Sequence, residues 1–209
     1  MKYKFIKVAV DAQVATLRFS NYEKRNALSK RLIEEVLYAL DTFSSQDIRA
    51  LIIRSDEKHK VWSSGHDITE LPESSRDPLP ADDSIEVLLA KIQSFRAPII
   101  AMVDGEAWGA ACDLVMCCDI VYGDESCAFA ITPAKLGLPY TASGISHFLS
   151  RMPMNVVNEM FCTALPIGAE RAKSIGILNE LVQAESLESK VYEVANVIAS
   201  RSPQAISAF

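Results

Sequence analysis

The sequence predicts an α/β fold whose sheet is at least partly parallel. Two observations carry this. A β-type run, a helix-period segment and a second apolar run follow one another, and such a crossover within one sheet joins parallel strands. The apolar runs at residues 50–54 and 98–103 are short and nearly uninterrupted, as buried strands are. The 209 residues suffice for one sizeable core. No internal repeat, low-complexity tract or linker interrupts them, so a single domain over 1–209 is expected.

The elements follow in order. Residues 5–10 and 14–20 flank Asp11-Ala12-Gln13 and read as a hairpin. Ser29 is placed to cap a helix that runs to Phe43, with Leu32, Ile33, Val36, Leu37, Leu40 and Phe43 on one face. Residues 50–54 form a strand. Residues 72–83, with three prolines and four acidic residues, read as a mobile surface loop. A helix carrying Ile85, Leu88, Leu89, Ile92 and Phe95 precedes the strand at 98–103. Gly105 and Gly109 punctuate a turn, 110–118 is an apolar helix and 120–122 a third core strand. The remainder is mostly helical, at 143–151, 155–163, 169–175 and 187–201, with a short strand at 178–182.

Charge narrows the classes of partner. Lys and Arg number 21 against 27 Asp and Glu, a net charge of −6. That balance argues against nucleic acid as a partner, since such surfaces carry a basic excess. One small basic pocket for a single phosphate remains compatible with it. The longest apolar region, 98–123, is broken by Asp104, Glu106, Asp113 and Asp119, so no membrane span is expected. The N-terminus lacks the apolar stretch of a secretory signal. Five cysteines, an odd number, with Cys112, Cys117 and Cys118 in one apolar stretch, fit reduced thiols in a cytoplasmic protein. There is no CxxC pair, and His59, His66 and His147 are scattered, so no metal site is expected.

Two segments suggest chemistry. Each leads from a strand into small residues, Ser63-Ser64-Gly65-His66-Asp67-Ile68 and Gly105-Glu106-Ala107-Trp108-Gly109-Ala110-Ala111. If a helix starts at each, its first N–H groups lack internal partners and carry the positive end of the helix dipole. Two such groups aimed at one point make an oxyanion hole. Strand–Gly–helix turns are common, so this reading is weak by itself.

The wording of these segments adds to it. Ser64-Gly65-His66-Asp67-Ile68 followed by Glu70-Leu71 resembles the AGxDIxEL motif of the crotonase, or enoyl-CoA hydratase/isomerase, superfamily. Lys24-Arg25-Asn26-Ala27-Leu28 resembles its RxNAL motif. The segment from Pro98 to Gly105, with Trp108-Gly109-Ala110-Ala111-Cys112-Asp113-Leu114, resembles its PxIAxVxGxxxGGGxEL block. The resemblance implies the crotonase (ClpP-like) spiral of ββα units with a helical C-terminal part. It also implies trimers or dimers of trimers, and an acyl-CoA thioester ligand with no separate cofactor. Against that family the chain is short, and it is expected to lack the final C-terminal helices that cover the CoA site and dock on a neighbour.

Site residues follow from the same resemblance. The oxyanion hole would be the backbone N–H groups of His66 and Ala110, with His66 contributing its backbone rather than its ring. Ala110 stands where the family has glycine, which adds a methyl group beside the acyl chain. Ser64, Asp67, Ile68, Trp108, Gly109 and Thr132 would line the acyl site, and Lys24 and Arg25 would meet CoA phosphates. The family's two acid–base glutamates align with Asp113 and Pro133, and proline cannot move a proton. Residues 132–140, and 65–72 running on to Arg76-Asp77-Pro78-Leu79, instead resemble the bacterial methylmalonyl-CoA decarboxylase branch. There Tyr140 would lie beside the substrate carboxylate and orient it. The expectation is decarboxylation of methylmalonyl-CoA or malonyl-CoA through an enolate. The alternatives are a hydratase or isomerase that uses Asp113, and a non-catalytic acyl-CoA-binding subunit.

Overall fold

The computed structural model describes residues 2–57, 59–71 and 78–207. The loop expected at 72–83 falls partly outside these, as do Arg76 and Asp77. The first ββα unit is β1 (Ile6–Asp11), β2 (Val14–Phe19) and α1 (Lys30–Ser44). The second is β3 (Ala50–Ser55), β4 (Val61–Ser63) and α2 (Ser84–Gln93). The third is β5 (Ile99–Val103), β6 (Glu106–Trp108) and α3 (Ala110–Cys117). The fourth is β7 (Ile120–Gly123), β8 (Ala128–Ala130) and the single turn α4 (Pro133–Leu136). After them come α5 (Ala142–Leu149), α6 (Met154–Thr163), β9 (Ile167–Gly168) and α7 (Ala169–Ser174). Then follow β10 (Glu180–Leu181), α8 (Ala184–Ala199) and α9 (Pro203–Ser207). No described helix is long and apolar enough to cross a membrane.

The units divide their strands between two sheets. One sheet has the order β1-β2-β3-β5-β7-β10 and the other β4-β6-β8-β9. From the second unit on, the first strand of each unit joins the large sheet and the second joins the small one, which makes the expected spiral. Among the described residues only β1 with β2, and β8 with β9, run antiparallel. The central strands are buried on both faces, as a covered parallel sheet requires. Leu51 and Ile53 of β3 pack toward α1, α2 and α3, while Ala50 and Ile52 pack with Leu187, Val191 and Ala195 of α8.

Two expectations are corrected. The stretch between Gly105 and Gly109 is strand β6 rather than a turn, and the small sheet as a whole was not foreseen. Its strands are two or three residues long, too short to show a period. The last short strand is confined to β10.

Asn26 joins the first unit to the second. Its side chain accepts from Asn21 N–H and donates to the Trp62 carbonyl at 2.9 Å and to Ser55 Oγ at 3.2 Å. Asn26 is fully buried, with φ of 51°. This left-handed conformation is one that asparagine tolerates better than most residues. Ser63 Oγ donates to the Asn26 carbonyl, Ser64 N–H to Arg25, and Leu28 N–H to Gly65. The 24–28 segment is thereby laid alongside 62–66. The isosteric change Asn26→Asp removes both donated bonds. It should lower unfolding free energy by about 1–3 kcal/mol, read from urea denaturation; an unchanged midpoint would show that the clamp carries no stability.

Candidate active site

The site is built at the C-terminal ends of β4, β6 and β8. These strands are parallel, so their ends point the same way. The segments that leave them, beginning at Ser64, Gly109 and Ile131, therefore lie side by side. Gly109 N–H donates to the Ala130 carbonyl at 2.8 Å and ties two of the segments together.

The first and second segments touch through backbone alone. Gly65 has φ of +81°, and a Cβ built on it would stand 2.3 Å from the Trp108 carbonyl oxygen and 3.0 Å from Ala110 N. Only glycine fits there. Gly109, with φ of +52°, turns the chain into α3. Ala110 is the first residue of that helix, so its N–H has no acceptor within the helix. At the bridge between Leu28 and His66, the Leu28 N–H is taken by the Gly65 carbonyl. Among the described residues the His66 N–H donates to no group. Two unsatisfied donors thus flank one short contact. The expectation of a helix after Gly65 is corrected: only a three-residue 3-10 turn, Ile68–Glu70, follows. The helix dipole therefore reinforces the Ala110 donor and not the His66 donor.

A cavity of about 100 Å³ opens at this contact. Ser64, His66, Ile68, Gly109, Ala110, Thr132 and Tyr140 all line it, so these expected site residues are brought together. Apolar groups, among them Leu71, Leu79, Ile85, Leu136 and Leu138, make most of the remaining wall. Glu86 is the one acid of that wall and no Lys or Arg joins it among the described residues. The His66 Nε2 atom is buried with no hydrogen-bond partner, 3.9 Å from Asp83. Its ring thus carries a buried nitrogen beside Asp83 in addition to the backbone role expected of the residue.

A second, wider cavity of about 580 Å³ shares Ser64 with the first. Arg25, Trp108, Tyr22, His59 and Lys60 line it. Arg25 and Trp108 thus face this chamber, and Lys24 lines neither. The Asp67 carboxylate is committed to Thr69, accepting from its N–H at 3.0 Å and its hydroxyl at 2.7 Å. These bonds hold its pKa below the usual carboxylate value, and it caps the 3-10 turn instead of facing a ligand.

Tyr140 stands against Phe161 edge to face, with centroids 5.1 Å apart, and over Gly144, where a Cβ would be 2.4 Å from its ring. Its hydroxyl donates to Asp113 Oδ2 at 2.6 Å. Burial, and then the Asp113 charge, push this phenol well above its ordinary range, so it stays protonated at neutral pH. A phenol has one hydrogen. With that hydrogen directed at Asp113, Tyr140 does not donate to a ligand in this arrangement, contrary to the expected orienting role. Asp113 is buried and its other oxygen accepts from His147 Nδ1 at 2.7 Å.

The chain resembles known proteins over nearly all of its length. Residues 9–209 match the enoyl-CoA hydratase/isomerase family. Methylmalonyl-CoA decarboxylase of Escherichia coli K12 is 39% identical over 207 residues, which cover 99% of this chain and 79% of that protein. A solved structure of methylmalonyl-CoA decarboxylase in complex with 2-nitronate-propionyl-CoA superposes with a TM-score of 0.96 at 38% identity. It covers 99% of this chain and 80% of that one. Human mitochondrial enoyl-CoA hydratase domain-containing protein 3 is 33% identical over 201 residues, 93% of this chain and 64% of that protein.

His147 was not singled out for a role by its sequence context. Together with Asp113 and Cys117 it places metal-ligand-type atoms within 4.8 Å of one another. These atoms satisfy one another instead, since the His147 Nδ1 that meets Asp113 also lies 3.3 Å from Cys117 Sγ. The thiol is pushed up by burial and by Asp113, and so stays protonated. The Asp113 hydrogen bond lifts the His147 imidazole above its ordinary 6.5, against the opposing effect of burial. A raised folded value means that the imidazolium stabilises the fold fully below 6.5, and that this contribution fades as pH rises through the folded value. The urea-midpoint gap between wild type and His147→Asn should therefore be larger near pH ~6 than near pH ~8.5. A gap that is constant or grows with pH contradicts the ion pair.

Proposed function

The chain belongs to the enoyl-CoA hydratase/isomerase family, and we propose that within it the protein decarboxylates methylmalonyl-CoA or malonyl-CoA to propionyl-CoA or acetyl-CoA. The observation that carries this reading is a cavity with two N–H donors at which neither of the family's acid–base positions presents a carboxylate; Glu86, the one acid of the described wall, is engaged by the Thr141 and Ser143 hydroxyls. Both oxygens of Asp113 are engaged, by His147 and by Tyr140, and it does not line the cavity. Pro133 occupies the other acid–base position and lines the wall. The hydratase or isomerase reading needs a carboxylate at the bond being altered, and neither position offers one.

Decarboxylation asks for no base. The bond from the α-carbon to the carboxylate breaks, its electron pair moves into the thioester, and CO₂ leaves. The charge arriving on the thioester oxygen meets the N–H groups of His66 and Ala110, which bind it more strongly than the neutral carbonyl. Water then gives a proton to the α-carbon, leaving hydroxide that solvent neutralises, and this completes the product. The wall gives the substrate carboxylate no cation to pair with. The polar side chains of that wall are those of Ser64, His66, Glu86, Thr132, Tyr140 and Thr141. A carboxylate that has lost water and gained no counter-ion is favoured to release CO₂. The methyl of Ala110 shortens the space for the acyl group, in keeping with a three-carbon or four-carbon acid.

In this reading coenzyme A is part of the substrate and no further cofactor takes part. The wider cavity, with Arg25, Lys60, His59 and Trp108, suits the CoA moiety. The reading extends to the trimer or dimer of trimers that the family resemblance implies; Met154 and Leu165 are exposed apolar residues available to such contacts.

The test offers methylmalonyl-CoA and crotonyl-CoA separately to wild type and to Gly65→Ala, with products followed by mass. Wild type should release CO₂ and leave crotonyl-CoA unhydrated. Gly65→Ala forces the two donors apart and should lower kcat by about 10²–10³-fold, the effect of losing one oxyanion donor. Hydration of crotonyl-CoA without decarboxylation would overturn the reading, and tight CoA-ester binding with no turnover would favour a binding subunit.

A further inference from the structure

Behind the Tyr140 wall lies a polar group that the proposed chemistry does not use. Asp113 and Cys117 sit one turn apart on α3, and His147 comes from α5. A buried carboxylate is costly unless it is paired and hydrogen-bonded. Asp113 meets both conditions, with His147 on Oδ1 and the Tyr140 hydroxyl on Oδ2. Each partner fixes the other's orientation. With its hydrogen on Asp113, the Tyr140 oxygen turns lone pairs, rather than a donor, toward the cavity.

We propose that His147 is a positioning residue for Tyr140: through Asp113 it keeps the Tyr140 hydrogen turned away from the acyl group, so that the substrate carboxylate meets an acceptor there. The consequence for the substrate rests on the decarboxylase reading; the direction of the phenol hydrogen does not. Groups facing His147 are Asp113 and Cys117 from α3 and Glu86 from α2. Apart from Asp113, none of these holds the ring and the phenol together. An isosteric change can reverse the arrangement. In Asp113→Asn the amide oxygen still accepts from His147, while the amide N–H₂ donates to the Tyr140 oxygen and releases the phenol hydrogen into the cavity. His147→Leu removes the ring N–H that orients Asp113, so the carboxylate no longer fixes the phenol hydrogen. His147→Asn retains an N–H donor for Asp113.

The experiment compares these three variants with wild type in two ways. Protein labelled with ¹³Cζ-tyrosine, with Tyr140 assigned through Tyr140→Phe, reports the phenol's hydrogen bond without any substrate. The Tyr140 resonance should move together in Asp113→Asn and His147→Leu and stay near wild type in His147→Asn. Turnover of methylmalonyl-CoA and calorimetric binding of a non-reacting carboxyalkyl-CoA thioether give the second readout. Asp113→Asn should lower kcat by about tenfold while binding the thioether several-fold more tightly, the signature of relieved ground-state repulsion. A merely structural role would weaken binding instead. A Tyr140 resonance unmoved in folded Asp113→Asn overturns the inference, as does weaker thioether binding with lower turnover. Should His147→Leu fail to fold, Asp113→Asn and His147→Asn decide it. A wild type that neither binds nor decarboxylates any such ester sinks the decarboxylase reading alone, because the resonance still reports the positioning.

Discussion

One backbone contact organises this molecule: Gly65 lies against the Trp108 carbonyl and the Ala110 nitrogen with no room for a Cβ. The contact sets the spacing of the His66 and Ala110 N–H groups, and much of the surrounding structure serves to hold it. The parallel pairing of β4, β6 and β8 brings the three segments to one side. The Asn26 clamp holds 24–28 against the Gly65 segment. The large sheet, covered on one face by α1, α2 and α3 and on the other by α8, supplies the rigid body from which the small sheet projects. Preorganised donors of this kind lose nothing to reorganisation when charge develops.

The same economy explains which residues stand at the cavity and which behind it. Donors come from the backbone, so side chains there are free to be apolar. The ionisable groups Asp113 and His147 are withdrawn one layer and spent on each other and on Tyr140. Tyr140 is thereby placed by three constraints at once: the Phe161 ring, the close approach of Gly144 and the hydrogen bond to Asp113.

Much of this was legible in the sequence. The one-faced pattern of Leu32, Ile33, Val36, Leu40 and Phe43 and the Ser29 cap set α1 to within a residue of its observed end. The apolar runs gave the central strands, because burial on both faces leaves no polar alternation. The motif residues Ser64, His66, Ile68, Gly109, Ala110, Thr132 and Tyr140 do converge on one cavity. The small sheet was not legible, since a three-residue strand carries no period. The helix expected after Gly65 rested on a local pattern that serves a 3-10 turn equally well. The orientation of the Tyr140 hydroxyl could not be read either. It depends on partners 27 and 34 positions apart, Tyr140 with Asp113 and Asp113 with His147. Its one trace in the sequence is a carboxylate inside the otherwise apolar α3.

The central claim is that the His66 and Ala110 N–H groups converge on the thioester oxygen. Isotope-edited infrared spectroscopy of bound [1-¹³C]propionyl-CoA tests it without relying on turnover. The account predicts that the labelled carbonyl stretch falls in frequency on binding to wild type, and that the fall is lost in Gly65→Ala while the ester still binds. A carbonyl whose frequency in wild type matches that of the free ester, at saturating protein, would contradict it.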